Sequence, residues 1–174
     1  MRIGDASNTY EWIDSWAKTP KSDGWAHHGA AITESGNIVA CNQGQATIQI
    51  FDQNGNLLSS WDSGLTEAHG ITVVKEGDVE YLWIADNGRK RQVDLDYEYS
   101  HEYRGQVVKF TLNGHRVMSI DPPDLPAYSS SAYSPTWVAV NEERNGGNGD
   151  VWVTDGYGSN SVHRYDKSGM YIST

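Results

Sequence analysis

A strand pattern that occurs three times is the feature that most constrains how this 174-residue chain can fold. In the C-terminal copy, residues 135–174, four short apolar or alternating segments are separated by turns rich in glycine, asparagine and aspartate. Such regular strand–turn punctuation predicts a four-stranded antiparallel meander. Two further copies lie upstream, in residues 26–61 and 68–120. Four strands at a period of about 40–50 residues is the spacing of propeller blades.

The three copies align position by position. The second strand starts at Ile38, Leu82 and Val151 and ends at Asn42, Asp86 and Asp155, and the turn after the third strand carries Gly55, Gly114 and Gly169. We therefore predict a single all-β domain over residues 1–174, built from about three β-propeller blades. The ten tyrosines and seven tryptophans suit strands better than helices, and we expect no helix of consequence.

An additional strand is predicted before the first blade. Residues 9–16, TYEWIDSW, alternate aromatic and polar side chains, whereas residues 1–8 read as a frayed start. In ring-shaped propellers an N-terminal strand of this kind joins the last blade and closes the circle. We expect the 9–16 strand to pair with the edge of a last blade in the same way.

Composition excludes some classes of partner. The net charge of −10 argues against nucleic acid, because no basic patch is available to release counterions, and it favours a cation or metal. The single cysteine, Cys41, rules out a disulfide framework and reads as a small buried residue. No apolar run approaches the length of about 20 residues that a membrane span needs, and MRIGDASNTY does not resemble a signal peptide. We expect no membrane partner, and we leave the compartment open, with the cytoplasm favoured.

Strand topology predicts where a ligand binds. In an antiparallel meander the start of the first strand and the end of the second lie at the same edge, which we call the loop face. A charged, tyrosine-rich insertion, residues 88–104, also leaves the second blade at this edge. The side chains that the topology collects there are His28, His69 and Thr136 from blade starts, and Asn42, Gln43, Asp86, Asn87, Asp155 and Tyr157 from the loops.

Three segments carry a resemblance to a known family: EAHGITVV at 67–74, SPTWVAV at 134–140 and VWVTDGYGSNSVHRYDKSG at 151–169. The blade form is similar to the NHL repeat, and the longer match resembles bacterial relatives of peptidyl-α-hydroxyglycine α-amidating lyase, from about Tyr10 onward. The resemblance implies a six-bladed propeller with zinc held by three histidines near its axis. It also implies C–N cleavage of a C-terminal hydroxyglycine, which yields a peptide amide and glyoxylate.

The resemblance assigns roles to three residues. His69 matches a zinc ligand, Tyr157 matches the catalytic base, and Gln43 stands where the family has a catalytic arginine. A neutral amide replaces a guanidinium poorly at such a position, and the other two zinc histidines would belong to blades that this sequence lacks. Two structural alternatives stay open: His69 as an architectural blade-start residue, and Tyr157 as a loop tyrosine packed over the ring axis.

Other polar residues have structural interpretations. Asp86 and Asp155 recur at strand ends, which predicts that they cap backbone amides of the next loop. The acids of the insertion could form a calcium site, but the spacing and the glycine of an EF-hand loop are absent, so the sequence favours a solvated charged loop. The residues concerned are Asp94, Asp96, Glu98, His101 and Glu102.

Two functions follow from the sequence. The first is a lyase-like, zinc-assisted site centred on His69 and Tyr157, which we expect to be inactive or incomplete in a lone chain. The alternative is a non-catalytic propeller scaffold that binds a peptide, a protein or a small molecule on the loop face. Because three blades do not close a ring, we also expect a homodimer that completes six blades, with each 9–16 strand pairing on the other chain.

Overall fold

A computed structural model describes residues 1–20, 29–42, 44, 46–90 and 104–174. These residues form strands and two short 3-10 helices, Pro126–Ser129 and Glu143–Asn145. The strands are β1 (Arg2–Gly4), β2 (Thr9–Glu11), β3 (Ala30–Ile32), β4 (Ile38–Cys41), β5 (Thr47–Phe51), β6 (Leu57–Asp62), β7 (Ala68–Glu76), β8 (Val79–Asp86), β9 (Gln106–Thr111), β10 (Arg116–Ile120), β11 (Trp137–Val140), β12 (Val151–Asp155), β13 (Ser161–Tyr165) and β14 (Tyr171–Ser173).

Three antiparallel meanders dominate the fold, as the repeat predicted. The first runs β3-β4-β5-β6, the second β7-β8-β9-β10 and the third β11-β12-β13-β14, each in chain order. Side chains alternate between the two faces of each sheet: in β12, Val151 and Val153 are buried whereas Trp152 is exposed. The prediction of an all-β chain built from four-stranded antiparallel meanders is confirmed.

The turn after the third strand has the same construction in the first and third meanders. Asp52 Oδ1 accepts backbone hydrogen bonds from Asn54 and Asn56, both 2.8 Å long. Asp166 Oδ1 does the same for Ser168, at 2.8 Å, and for Met170, at 3.0 Å. Such aspartate-centred turns fix the hairpin register through local hydrogen bonds.

The meanders stack face to face in chain order. One buried cluster joins the first two sheets and a second joins the last two. Strand β7 contacts both β3 and β11, so the first strands of the three sheets lie side by side. The clusters are Val39, Cys41, Ala46, Ile48, Ile50, Ala68, Ile71, Leu82, Ile84, Val108 and Phe110, then Val74, Trp83, Ala85, Val107, Ile120, Tyr133, Val138, Val151, Val153 and Tyr165.

A tryptophan from the end of one unit packs on the third-strand turn of the next unit, a contact we call a tryptophan latch. Trp61, in β6, lies 5.3 Å from the Phe110 ring centroid and donates its indole N–H to the Leu112 carbonyl at 3.0 Å. The latch needs glycine at position 114, where φ is 87° and a Cβ would lie 2.7 Å from the Trp61 ring.

The same latch occurs once more, before the first meander. Trp16 lies 6.3 Å from the Phe51 ring centroid and donates to the Gln53 carbonyl at 3.3 Å. Between the second and third meanders the aliphatic Ile120 takes the equivalent place against Gly169. Trp16 therefore packs on the first meander in the way that each meander packs on the next.

The N-terminal region differs from the prediction. The strand expected over residues 9–16 covers only Thr9–Glu11, and it pairs with Arg2–Gly4, in the part expected to be frayed. Asp5 explains the hairpin, because its carboxylate accepts hydrogen bonds from the backbone amides of Ser7 and Asn8, both 3.1 Å long. Ser15 has a left-handed φ of 52°, which interrupts any extended strand before Trp16.

Several predicted site residues lie outside the described part of the chain. These are His28, Gln43 and all five candidate calcium ligands, Asp94, Asp96, Glu98, His101 and Glu102. Among the described residues, no helix is both long and apolar enough to cross a membrane.

Candidate functional site

Two buried aspartates organise the loop face. Asp86, at the end of β8, is fully buried and accepts hydrogen bonds from the backbone amides of Thr66, Glu67 and Gly88, at 3.0, 2.9 and 3.0 Å. It thereby ties the link between the first two meanders to the loop after β8. This confirms the capping role predicted for Asp86.

Asp155 plays the same role at the end of β12. Its two carboxylate oxygens accept the backbone N–H groups of Ser134 and Ser159, each at 2.7 Å, and the Tyr128 hydroxyl donates to it at 2.6 Å. Asp155 is also fully buried. The carboxylate thus joins the connector before β11 to the loop that follows β12, and its predicted capping role is confirmed too.

Tyr128 extends this network to His163. The Tyr128 oxygen lies 2.6 Å from His163 Nε2, and His163 Nδ1 lies 2.8 Å from the Thr174 hydroxyl. Because Tyr128 donates its proton to Asp155, the imidazole donates through Nε2–H and accepts at Nδ1. Burial lowers the pKa of His163, in keeping with a neutral ring.

The pKa values of the two aspartates shift in opposite directions. Burial raises the pKa of Asp86 above its usual 3.8, even though three amides and Gln106 donate to it. Burial also opposes ionisation of Asp155, but hydrogen bonds from Tyr128, Ser159 and Ser134 outweigh it and hold the pKa of Asp155 below 3.8. Asp155, which has the lower pKa, is the aspartate that accepts a hydrogen bond from a phenol, that of Tyr128.

His69 and Tyr157 meet on the loop face. His69 Nδ1 lies 2.8 Å from the Thr136 carbonyl, so in the neutral ring Nδ1–H donates and Nε2 is the acceptor. The Tyr157 hydroxyl lies 3.3 Å from Nε2, and the two rings meet edge to face with centroids 5.2 Å apart. Tyr157 is 46 % exposed, so the pair is open to a ligand.

A β-bulge aims His69 at this position. In the pairing of β7 with β8, Ala68 opposes Asp86 and Gly70 opposes Ala85, so His69 is the additional residue. Glycine at position 70 lets β7 approach β11, since a Cβ there would lie 2.6 Å from the Thr136 carbonyl oxygen. The sequence His69–Gly70 therefore turns the imidazole toward the third meander.

Arg89 joins this site from the loop after β8. Its guanidinium donates to the Tyr157 carbonyl at 3.0 Å, and its backbone amide donates to Asn87 Oδ1 at 2.9 Å. Tyr157 is thus held at both ends, by Arg89 at the backbone and by His69 at the hydroxyl. Within the described residues no carboxylate lies within ion-pair distance of Arg89.

The described residues do not form a complete zinc site. A neutral imidazole with its Nδ1–H fixed by a carbonyl is a common state of a histidine ligand, and His69 has it. A catalytic zinc, however, takes three protein ligands, and no group of three or more His, Cys, Asp or Glu side chains converges within the residues described. Because His69 alone is no zinc site, we derive no reaction step through zinc.

Sequence reasoning found part of this arrangement. It brought His69, Thr136 and Tyr157 to one edge, and the structure places them in contact. It missed Arg89, although a guanidinium three residues beyond Asp86 on the predicted ligand face was a usable signal. It also missed Tyr128, which stands in a connector with no strand pattern.

The sequence was compared with protein-family models and with curated proteins, and neither comparison gives a match.

Proposed function

We propose that the three meanders are blades of an NHL-type β-propeller. The adjacent first strands β3, β7 and β11, the face-to-face stacking and the repeated turn contacts are what neighbouring blades around an axis would show. Under this proposal the loop face surrounds the mouth of the axis, where propellers bind ligands. The bulged His69 then points across the gap between the second and third blades.

The proposed function is binding, on the loop face, of a small or peptide-like ligand with a hydroxyl group, at a lyase-like site formed by Tyr157 and His69. One observation carries it: Tyr157 Oη lies 3.3 Å from His69 Nε2 while His69 Nδ1 is fixed by Thr136. Such a pair can accept a hydrogen bond from a ligand hydroxyl at the phenol oxygen and relay a proton toward the imidazole. By resemblance, the ligand is a peptidyl α-hydroxyglycine.

Turnover tests the lyase form of this proposal. The lyase form predicts release of glyoxylate from N-benzoyl-α-hydroxyglycine, and it predicts that Tyr157→Phe lowers the rate by about 100-fold or more, because a positioned acid–base group typically contributes that much. Tyr10→Phe, at an exposed tyrosine of β2, is the matched control and should leave the rate unchanged. Equal rates in the Tyr157→Phe variant and the unmodified protein would refute a catalytic phenol.

A non-catalytic scaffold is the second candidate. Two points favour it: no group of three metal-ligating side chains converges among the described residues, and the resemblance puts Gln43 where the family has an arginine. The scaffold predicts ligand-induced changes in the His69 and Tyr157 NMR resonances without glyoxylate release. Near-stoichiometric zinc in the purified protein, lost in His69→Ala, would instead favour the lyase.

Self-association is the expected state of a three-blade arc. The outer face of the third sheet exposes Trp152 at 42 %, Val162 at 48 % and Ile172 at 46 %, and apolar faces of this kind mark association sites. We propose a homodimer that completes a six-bladed ring, and we expect light scattering after size exclusion to give twice 19.3 kDa. A mass of 19.3 kDa that persists at high concentration would rule this dimer out.

A further inference from the structure

We propose that Arg89 binds a carboxylate of the ligand held at His69 and Tyr157. The inference rests on the proposed function and deepens it, because it names the residue that recognises the acidic group of the ligand. The sequence assigned no role to Arg89, and the position expected to supply a guanidinium holds Gln43. Arg89 provides that chemistry from a different loop.

The first observation is that the guanidinium has a hydrogen bond but no charge partner among the described residues. In a chain with 23 acidic residues, the described ion pairs match Lys75 with Glu34, Lys90 with Glu67 and Arg164 with Asp150. Arg89 instead bonds one neutral carbonyl, that of Tyr157. A guanidinium has five N–H donors, so most of its hydrogen-bonding capacity is left for a ligand.

The second observation is that Arg89 is positioned from its backbone. Gly88, with φ of 69°, turns the chain immediately before it, and the Gly88 amide is fixed on Asp86 at 3.0 Å. The Arg89 amide is fixed on Asn87 at 2.9 Å. The base of the side chain is therefore held by a buried carboxylate, and the half-buried guanidinium is held by the third meander.

The third observation is that Arg89 and His69 both contact Tyr157. Tyr157 accepts a hydrogen bond from the guanidinium at its carbonyl and offers its hydroxyl to His69, so Arg89 and His69 flank one exposed tyrosine. A ligand lying along that tyrosine can place a hydroxyl at the phenol and a carboxylate at the guanidinium. The planar fork of arginine matches a carboxylate through two parallel hydrogen bonds, which a lysine cannot reproduce.

The test compares hippurate with hippuramide, which share one skeleton and differ by the carboxylate. Affinity is measured by calorimetry, and occupancy by the arginine Nε–H and histidine NMR resonances. We expect hippurate to bind at least tenfold more tightly than hippuramide, and Arg89→Gln to remove that preference. Arg89→Lys should restore only part of it. Arg144→Gln, at the opposite edge of the third meander and in a pair with Glu142, is the matched control and should bind hippurate normally.

The outcomes separate the two proposals. If hippurate and hippuramide bind equally and both shift the His69 resonances, the ligand site stands and the role of Arg89 is refuted. If inorganic phosphate binds more tightly than hippurate in an Arg89-dependent way, the carboxylate assignment is refuted. If neither probe, nor N-benzoyl-α-hydroxyglycine, which adds the hydroxyl, shifts the His69 or Tyr157 resonances, the proposed function fails, and the inference fails with it. Normal thermal unfolding of Arg89→Gln excludes misfolding as the cause of lost binding.

Discussion

Replacing Asp155 with asparagine should lower the free energy of unfolding by about 2–4 kcal/mol at neutral pH. The carboxylate is fully buried and accepts hydrogen bonds from two backbone amides and the Tyr128 hydroxyl. Asparagine keeps one oxygen and turns an NH₂ group toward a donor, which leaves at least one buried N–H or O–H without an acceptor. Urea unfolding followed by circular dichroism measures the loss.

Asp62→Asn is the matched control for this experiment. Asp62 also accepts a backbone hydrogen bond, from Gly64 at 2.9 Å, but it is exposed to water. We expect a change within about 0.5 kcal/mol. An Asp155→Asn variant as stable as Asp62→Asn would show that the buried network contributes nothing to the fold.

The deficit of Asp155→Asn should also depend on pH. Hydrogen bonds hold the pKa of Asp155 below 3.8, so the ionised carboxylate is more stable in the folded state than in the unfolded state. The stabilisation is therefore complete above pH 3.8 and is lost as the pH falls through the lowered pKa of the folded state. For Asp86, whose pKa burial raises, the sign is opposite, and protonation favours the folded chain. A deficit in Asp155→Asn that grows below pH 3.8 would contradict the assignment.

Truncating Trp61 to alanine should cost about 2–4 kcal/mol. The side chain covers Gly114, meets the Phe110 ring at 5.3 Å and donates to the Leu112 carbonyl. Its loss removes aromatic packing and leaves the turn of the second meander uncovered. The urea midpoint of Trp61→Ala, with Trp61→Phe as an intermediate case that keeps a ring, measures the effect.

Trp12→Ala provides the comparison for Trp61→Ala. Trp12 is 56 % exposed and makes no latch, so its truncation should change stability by less than about 0.5 kcal/mol. Equal losses in the two variants would mean that the tryptophan latch adds nothing beyond surface burial.

Local pattern predicted the sheets and the roles of the strand-end aspartates well. Asp86 and Asp155 could be predicted because they occupy the same place in their meanders and each accepts a backbone hydrogen bond from the loop that follows its strand. The N-terminal hairpin was missed because it depends on a single side chain, Asp5, and on the left-handed backbone of Ser15. Neither leaves a periodic trace in the sequence.

The site was only half predictable for a related reason. His69 and Tyr157 could be brought together by topology alone, because both stand at equivalent edges of neighbouring sheets. The contact between Arg89 and Tyr157 joins residues 68 positions apart, and the contact between Tyr128 and His163 joins residues 35 apart. Such pairs depend on side-chain reach across loops, which hydrophobic periodicity does not encode.

Cys41 lies in the cluster between the first two meanders, is 6 % exposed, and has a pKa that burial raises to about 12. Thiol-directed reagents attack the thiolate, so near neutral pH the closed structure offers them neither access nor a nucleophile. Alkylation must then proceed through brief separations of those two sheets. The rate at which iodoacetamide labels this single thiol therefore measures how often that interface opens while the rest of the chain stays folded.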